Sequence, residues 1–86
     1  MKLKDGFVLR RMAGKYVVLP SGNEIDLNMM LVMNDTGKFL WELLKEEKTE
    51  AQLLEAVLAE YEVTEQTAVS YIAEFVAKLK EYDCLA

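Results

Sequence analysis

The chain has 86 residues, of which 52% are hydrophobic and 29% are charged, and its formal net charge is −5. A chain of this length forms one domain, predicted here to cover residues 1–86, and its small core leaves no room for a deep catalytic cleft. No apolar run approaches the roughly 18 residues that a membrane-spanning helix needs, and the N-terminal charges precede no signal-peptide core. We therefore expect a cytoplasmic protein that has no membrane partner.

The residue types present exclude most enzyme chemistry. Histidine is absent and Cys84 is the only cysteine, so the usual ligands for zinc or iron are missing and no internal disulfide can form. The hydroxyl groups and the Cys84 thiol have no histidine base to activate them. The sequence therefore predicts no enzyme, no catalytic residue, no metal and no cofactor, and it predicts a half-exposed Cys84 thiol without a role.

Charge is distributed unevenly along the chain. Residues 1–23 carry five basic side chains and one acidic side chain, a net charge of +4, whereas residues 24–86 carry five basic and fourteen acidic ones, a net charge of −9. Proteins that bind nucleic acid place clustered Lys and Arg against the phosphates. A nucleic-acid partner is therefore not expected, and any such face would have to lie in the N-terminal part.

The N-terminal part reads as a β-hairpin followed by a third strand. Gly6–Met12 and Lys15–Leu19 are rich in β-branched and aromatic residues, and the Ala13-Gly14 pair between them suits a tight turn. The cluster of turn-forming residues at 20–23 ends the hairpin. A third strand is predicted to start near Glu24.

This third segment, residues 25–33, alternates between two faces. One face carries apolar side chains throughout: Ile25, Leu27, Met29, Leu31 and Met33. The other face starts polar and becomes apolar after Asn28, with Met30 and Val32, which indicates that a second element or a partner covers it. A bulge or break at Asn28-Met29 is left open. Flexible methionine side chains in one short run also suit a surface that accepts varied partners.

Capping residues and apolar periodicity predict three helices in the remaining chain. The first helix follows Asn34 and runs to about Lys45, the second follows Thr49, which forms a capping box with Gln52, and the third follows Thr64 and runs to about Glu81.

Each predicted helix has an apolar face. Trp41 in the first helix is expected to pack at the rim of the core or under the sheet, and Gly37 to allow close packing. The second and third helices are expected to turn these residues inward: Leu53, Leu54, Val57, Leu58 and Tyr61, then Val69, Ile72, Val76 and Leu79. A flanking stripe widens the face of the third helix beyond what one core contact needs; it consists of Tyr71, Phe75, Lys78 and Tyr82.

Several segments, in this order, resemble the PqqD-like family of small peptide-recognition domains. They are Val8-Leu9-Arg10 with Ala13-Gly14, Tyr16-Val17-Val18-Leu19-Pro20, and Met33-Asn34-Asp35-Thr36-Gly37-Lys38-Phe39-Leu40-Trp41-Glu42-Leu43-Leu44. The last is similar to the family's Leu-Asn-Glu-Thr-Gly…Trp-x-Leu-Leu signature. Thr49 and the two amphipathic helices after it complete the resemblance, which covers nearly the whole chain.

The resemblance implies an α+β, winged-helix-like domain in which a three-stranded antiparallel sheet precedes three helices. It also implies a non-catalytic chaperone that binds the leader segment of a ribosomally made precursor peptide as a strand added along the third strand. Such a domain presents the peptide to a modifying enzyme, often a radical-SAM protein. On this reading the peptide-binding residues are Ile25, Leu27, Asn28, Met29, Met30, Leu31, Val32, Met33, Tyr71, Phe75, Lys78, Leu79 and Tyr82.

Two other functions are left open by the residues themselves. The methionine-rich third strand could pair with itself in a homodimer or with an enzyme subunit, which would make the chain an interaction subunit of a biosynthetic complex. A winged-helix nucleic-acid binder is the other alternative, although the charge of −9 on residues 24–86 opposes it.

Overall fold

The computed structural model describes residues 1–20 and 31–86. Three strands precede three helices, which confirms the predicted fold class and the predicted order of elements. Their bounds are β1 (Phe7–Met12), β2 (Lys15–Pro20), β3 (Leu31–Met33), α1 (Asp35–Leu43), α2 (Glu50–Glu60) and α3 (Glu65–Glu81). The predicted part of the third strand that precedes Leu31 lies outside the described residues.

The sheet is antiparallel with the strand order β1-β2-β3. β1 and β2 form a hairpin in which Met12 pairs with Lys15. The two turn residues between them have positive φ angles, 51° at Ala13 and 78° at Gly14, as the twist-matched two-residue hairpin turn requires. β2 then pairs with β3, with Val18 opposite Leu31, so β1 and β3 are the two edges of the sheet that residues 1–20 and 31–86 form.

The three helices begin at the predicted capping residues. The side chains of Asn34, Thr49 and Thr64 each accept a hydrogen bond from the backbone N–H three residues later. Thr49 and Gln52 form the complete reciprocal capping box. These bonds satisfy amides that would otherwise lack a partner at a helix start, which explains why the helix starts could be read from the sequence.

One core joins a face of the sheet to the helices. Its fully buried side chains come from β2, from all three helices and from the chain segments after α1 and α3: Val18, Leu40, Leu44, Leu53, Leu79 and Cys84. Trp41 is buried as well, and its ring meets the Phe7 ring of β1 edge to face at a centroid distance of 6.2 Å. Of the two placements expected for Trp41, the rim of the core and the underside of the sheet, the structure shows a buried ring that packs against β1.

Two side chains on the predicted helix faces differ from the sequence expectation. Val69 is 49% exposed and Leu58 is also exposed, although both were placed on buried helix faces. Ala68 is buried in place of Val69, because a small side chain lets α3 approach the core closely and the next residue then turns about 100° away toward solvent.

Within the described residues, no helix is long and apolar enough to cross a membrane.

Cys84 is buried, not half-exposed as predicted. The segment that carries it lies against the N-terminal residues: Leu3 and Leu85 form an antiparallel bridge, and Lys4 donates its backbone N–H to the Cys84 carbonyl at 2.7 Å. Burial raises the pKa of the Cys84 thiol above its ordinary value, the Asp83 carboxylate raises it further, and Lys4 opposes both effects. The neutral, unreactive form of the thiol is therefore favoured in the folded protein.

We expect the Cys84 thiol to react with a disulfide reagent at pH 8 at least about tenfold more slowly in the native protein than in guanidinium, since the reactive thiolate is both buried and disfavoured. Absorbance of the released thiolate measures the rate. Equal rates in the two states would contradict the burial of Cys84.

α1 lies so close to β3 that residue 37 has space only for glycine. A Cβ atom built on Gly37 would lie 2.9 Å from the Met33 Cβ. The Met33 Cβ is attached directly to the backbone and cannot rotate away, so the helix itself would have to shift. We expect Gly37→Ala to lower the free energy of unfolding by about 1–2 kcal/mol, because overpacking exceeds the gain of about 1 kcal/mol in helix propensity.

Chemical denaturation followed by circular dichroism measures this change. Glu42→Ala, at an exposed position of the same helix, is the matched control and should change the free energy of unfolding by less than about 0.5 kcal/mol. A Gly37→Ala protein as stable as the wild type would mean that α1 and β3 are not held this closely.

Candidate functional site

A groove lies between the edge strand β3 and helix α3. Its volume is about 290 Å³. The groove is lined by all three residues of β3, by the start of α1 and by one face of α3: Leu31, Val32, Met33, Asn34, Gly37, Tyr71, Glu74, Phe75 and Lys78. Because the close contact between Gly37 and Met33 fixes α1 against β3, this end of the groove has a rigid base.

The β3 wall presents both apolar side chains and backbone. Leu31 and Met33 point into the core and are buried, whereas Val32, on the other face of the strand, is 44% exposed. Among the described residues β3 pairs with β2 alone. The outer edge of β3 therefore offers backbone N–H and C=O groups to an additional strand.

The α3 wall combines an aromatic surface with two opposite charges. Tyr71, Glu74, Phe75 and Lys78 follow the spacing of one helix face. Phe75 is buried and Tyr71 half-buried, while Glu74 and Lys78 are exposed. The groove can thus hold apolar side chains along its length and can distinguish charged ones near Glu74 and Lys78.

A hydrogen bond links the two walls. The Asn34 Oδ1 atom accepts a bond from the Gly37 N–H at 2.9 Å and a second bond from the Tyr71 hydroxyl at 2.7 Å. One side chain therefore caps α1 and ties α3 to the junction between β3 and α1. The cap could be read from the sequence, but the bond to Tyr71 joins residues 37 positions apart and no local pattern indicates it.

The predicted site residues fall into three groups. Leu31, Val32, Met33, Tyr71, Phe75 and Lys78 all line the groove. Leu79 lies in the core with no exposed surface, and Tyr82 caps the end of α3 and packs against the core, outside the groove lining. The rest lie outside the described residues: Ile25, Leu27, Asn28, Met29 and Met30.

Sequence reasoning missed three groove residues, Asn34, Gly37 and Glu74, as parts of the site. Glu74 could have been found, because it lies three residues after Tyr71 and four before Lys78 on the same helix face. Asn34 and Gly37 had been assigned to capping and packing, and they line the groove in addition to those roles.

The chemistry of the groove is that of binding. Among the described residues, its polar side chains are one amide, one phenol hydroxyl, one carboxylate and one ammonium group. Within residues 1–20 and 31–86, no three His, Cys, Asp or Glu side chains lie close enough together to hold a metal ion. The arrangement can position a peptide by backbone pairing, apolar contact and charge.

We expect Asn34→Ala to lower the free energy of unfolding by about 1–2 kcal/mol, because it removes the cap of α1 together with the partner of Tyr71. Asn34→Asp should retain most of the stability, since aspartate caps a helix equally well and still accepts from the hydroxyl. Tyr71→Phe, which removes only the bond between the walls, should cost less than Asn34→Ala. Denaturant titration of the three variants tests this order, and equal losses in all three would contradict the double role of Asn34.

Comparison with known proteins gives one solved structure of the same fold over the full chain. It is the structure of TbiB1 in complex with the TbiA(beta) leader peptide. The matched chain is 25% identical to this one in sequence, and the two superpose with a TM-score of 0.75 over 99% of this chain and 94% of that chain. No curated protein sequence matches the chain.

The family model for coenzyme PQQ synthesis protein D matches residues 9–85. The match includes β2, β3, all three helices and every described residue that lines the groove between β3 and α3. The chain therefore belongs to the PqqD family.

Proposed function

We propose that this protein is a non-catalytic recognition domain that binds the leader segment of a ribosomally made precursor peptide in the groove between β3 and α3. The observation that carries the proposal is the groove itself, in which an edge strand faces the aromatic surface of a helix. The leader-peptide complex of TbiB1, a protein of the same fold, supports it.

Strand addition at β3 would give the affinity. A peptide strand paired with β3 lies about 4.8 Å from it, and alternate peptide side chains point toward opposite faces of the sheet. One set of these side chains would meet α3 at Phe75 and Tyr71. Backbone pairing is independent of the peptide sequence, so specificity comes from the side chains that enter this groove.

The charged residues of α3 define the preferred peptide. Lys78 favours an acidic side chain at its end of the groove, whereas Glu74 disfavours one a helical turn earlier. Phe75 and Met33 favour an apolar side chain between the sheet and the helix. The proposed ligand is therefore an extended segment with an apolar anchor and an acidic residue next to Lys78.

The bound peptide would be delivered to a modifying enzyme, such as a radical-SAM protein, in the cytoplasm. The domain itself would need no metal and no cofactor for this task, because its groove works by pairing and contact.

The first test is to titrate the isotope-labelled protein with the precursor peptides encoded beside its gene and to monitor the chemical shifts of its backbone amides. We expect the largest shifts in β3 and on the groove face of α3, since the peptide would pair with one and contact the other. Undisturbed β3 amides with every precursor would overturn the proposal. A mass that doubles with concentration in light scattering, together with undisturbed amides, would instead favour an interaction subunit.

The second test is a charge reversal in the groove. Lys78→Glu should weaken the binding of a leader with an acidic residue about tenfold, because an attractive charge becomes repulsive. Lys80→Glu makes the same change in net charge on an exposed position of α3 that does not line the groove, and it should leave the affinity within about twofold of wild type. Isothermal titration calorimetry measures both, and circular dichroism verifies that both variants fold.

A further inference from the structure

A second groove lies at the opposite edge of the sheet, between β1 and α1. Its volume is about 460 Å³, larger than that of the groove at β3. Its β1 wall consists of Phe7, Leu9 and Arg11, which share one face of the strand, together with Val8. On the other side, Lys38, Trp41 and Glu42 follow the spacing of one face of α1, and Lys45 lies in the turn after that helix.

This groove continues into a shallow depression along the N-terminal segment, with which it shares Phe7, Trp41 and Lys45. We call the two together the basic face. They carry five basic and two acidic side chains: Lys2, Lys4, Arg11, Lys38 and Lys45, with Asp5 and Glu42. These side chains have a net charge of +3, and one of the cations, Lys4, pairs with Asp83 at 2.8 Å. The whole chain has a net charge of −5, so the basic face is distinct from the remaining surface.

Contacts within the basic face leave part of this charge available. Lys45 pairs with Glu42 at 2.9 Å but keeps 58% of its side chain exposed, and the Lys38 ammonium lies 5.2 Å from the centre of the Tyr16 ring. Arg11 is exposed, and within the described residues it forms no ion pair. These cations can therefore interact with a partner without first breaking a buried contact.

An exposed apolar side chain lies beside the charges: Val8, which lines the groove, is 37% exposed. Protein interfaces combine such apolar residues with charges at the rim. β1 is also an edge strand, with β2 as its partner in the described sheet, so its outer backbone groups can pair with another chain.

We propose that the basic face is the docking surface for a partner protein that presents acidic side chains, and that this partner is the enzyme which modifies the peptide. The identity of the partner rests on the proposed function. Since β1 and β3 are opposite edges with β2 between them, about 10 Å apart, a protein docked on the basic face leaves the groove at β3 open for the peptide.

Nucleic acid is the competing polyanion, and the structure favours a protein. Glu42 lies in the groove and would face the phosphates, and the apolar side chain of Val8 has no partner on a phosphate backbone. The charge of −9 on residues 24–86 also repels a long polyanion that extends beyond the basic face.

The test uses the full chain and the purified enzymes encoded beside its gene. We expect one of them to shift the amides of β1 and α1 and to leave those of β3 in place, whereas a precursor peptide shifts β3 and α3. Arg11→Glu combined with Lys45→Glu should weaken binding of the enzyme at least about tenfold and make the remaining binding less sensitive to salt, because both changes replace an attraction that salt screens by a repulsion from the acidic partner. Peptide affinity should stay within twofold.

Lys80→Glu, outside both grooves, is the control for net charge and should leave enzyme binding within twofold of wild type. Failure of every enzyme to bind, or binding that the double variant leaves unchanged, would overturn the inference. Salt-sensitive binding of a 20-base-pair DNA duplex at the β1 and α1 amides, with no enzyme binding there, would overturn it in favour of nucleic acid. If no precursor peptide shifts the β3 and α3 amides while an enzyme still shifts those of β1 and α1, the proposed function is overturned and the docking of an enzyme on the basic face stands.

Discussion

The contact between Gly37 and Met33 is the constraint on which the other parts of the molecule depend. A helix that starts two residues after an edge strand must either point away from the sheet or pack against it, and the missing side chain at Gly37 permits the second arrangement. Asn34 then fixes the start of α1 and, through the Tyr71 hydroxyl, the distance to α3. The width of the groove at β3 is thus set by a few contacts at one junction.

The two edges of the sheet carry two surfaces that suit different kinds of ligand. The groove at β3 is narrow, with aromatic and aliphatic walls and one charge of each sign, which suits an extended peptide selected by its side chains. The basic face is broader and dominated by one sign of charge, which suits a folded surface attracted over a longer range. A domain of 86 residues can hold two ligands at once because its short sheet has two edges and each edge lies beside a different helix.

Much of this fold could be predicted from the sequence, because its elements are defined by local chemistry. The Ala13-Gly14 turn and the caps at Asn34, Thr49 and Thr64 act over three or four residues, and each is found where the sequence indicates it. The burial of Cys84 and the exposure of Val69 could not be predicted. The first depends on a bridge between residues at opposite ends of the chain, and the second on how closely α3 approaches the core.

The candidate site could be predicted to a similar extent and for the same reason. The stripe of Tyr71, Phe75 and Lys78 follows from helical spacing, and all three line the groove. Leu79 belongs to the core instead, because residues one position apart on a helix differ by about 100° in direction. The part played by Asn34 in joining the two walls depends on tertiary structure alone.

The bridge between Leu3 and Leu85 brings the two ends of the chain close together. Leu3 and Leu85 lie side by side in this bridge, so a tether attached at either end would start from nearly the same point in space. The effective concentration of the groove near a tethered enzyme depends on the length of the tether and on where it starts. Attachment through the front or the back of the chain would therefore present the peptide from similar positions, and the order in which the two proteins are joined would matter little.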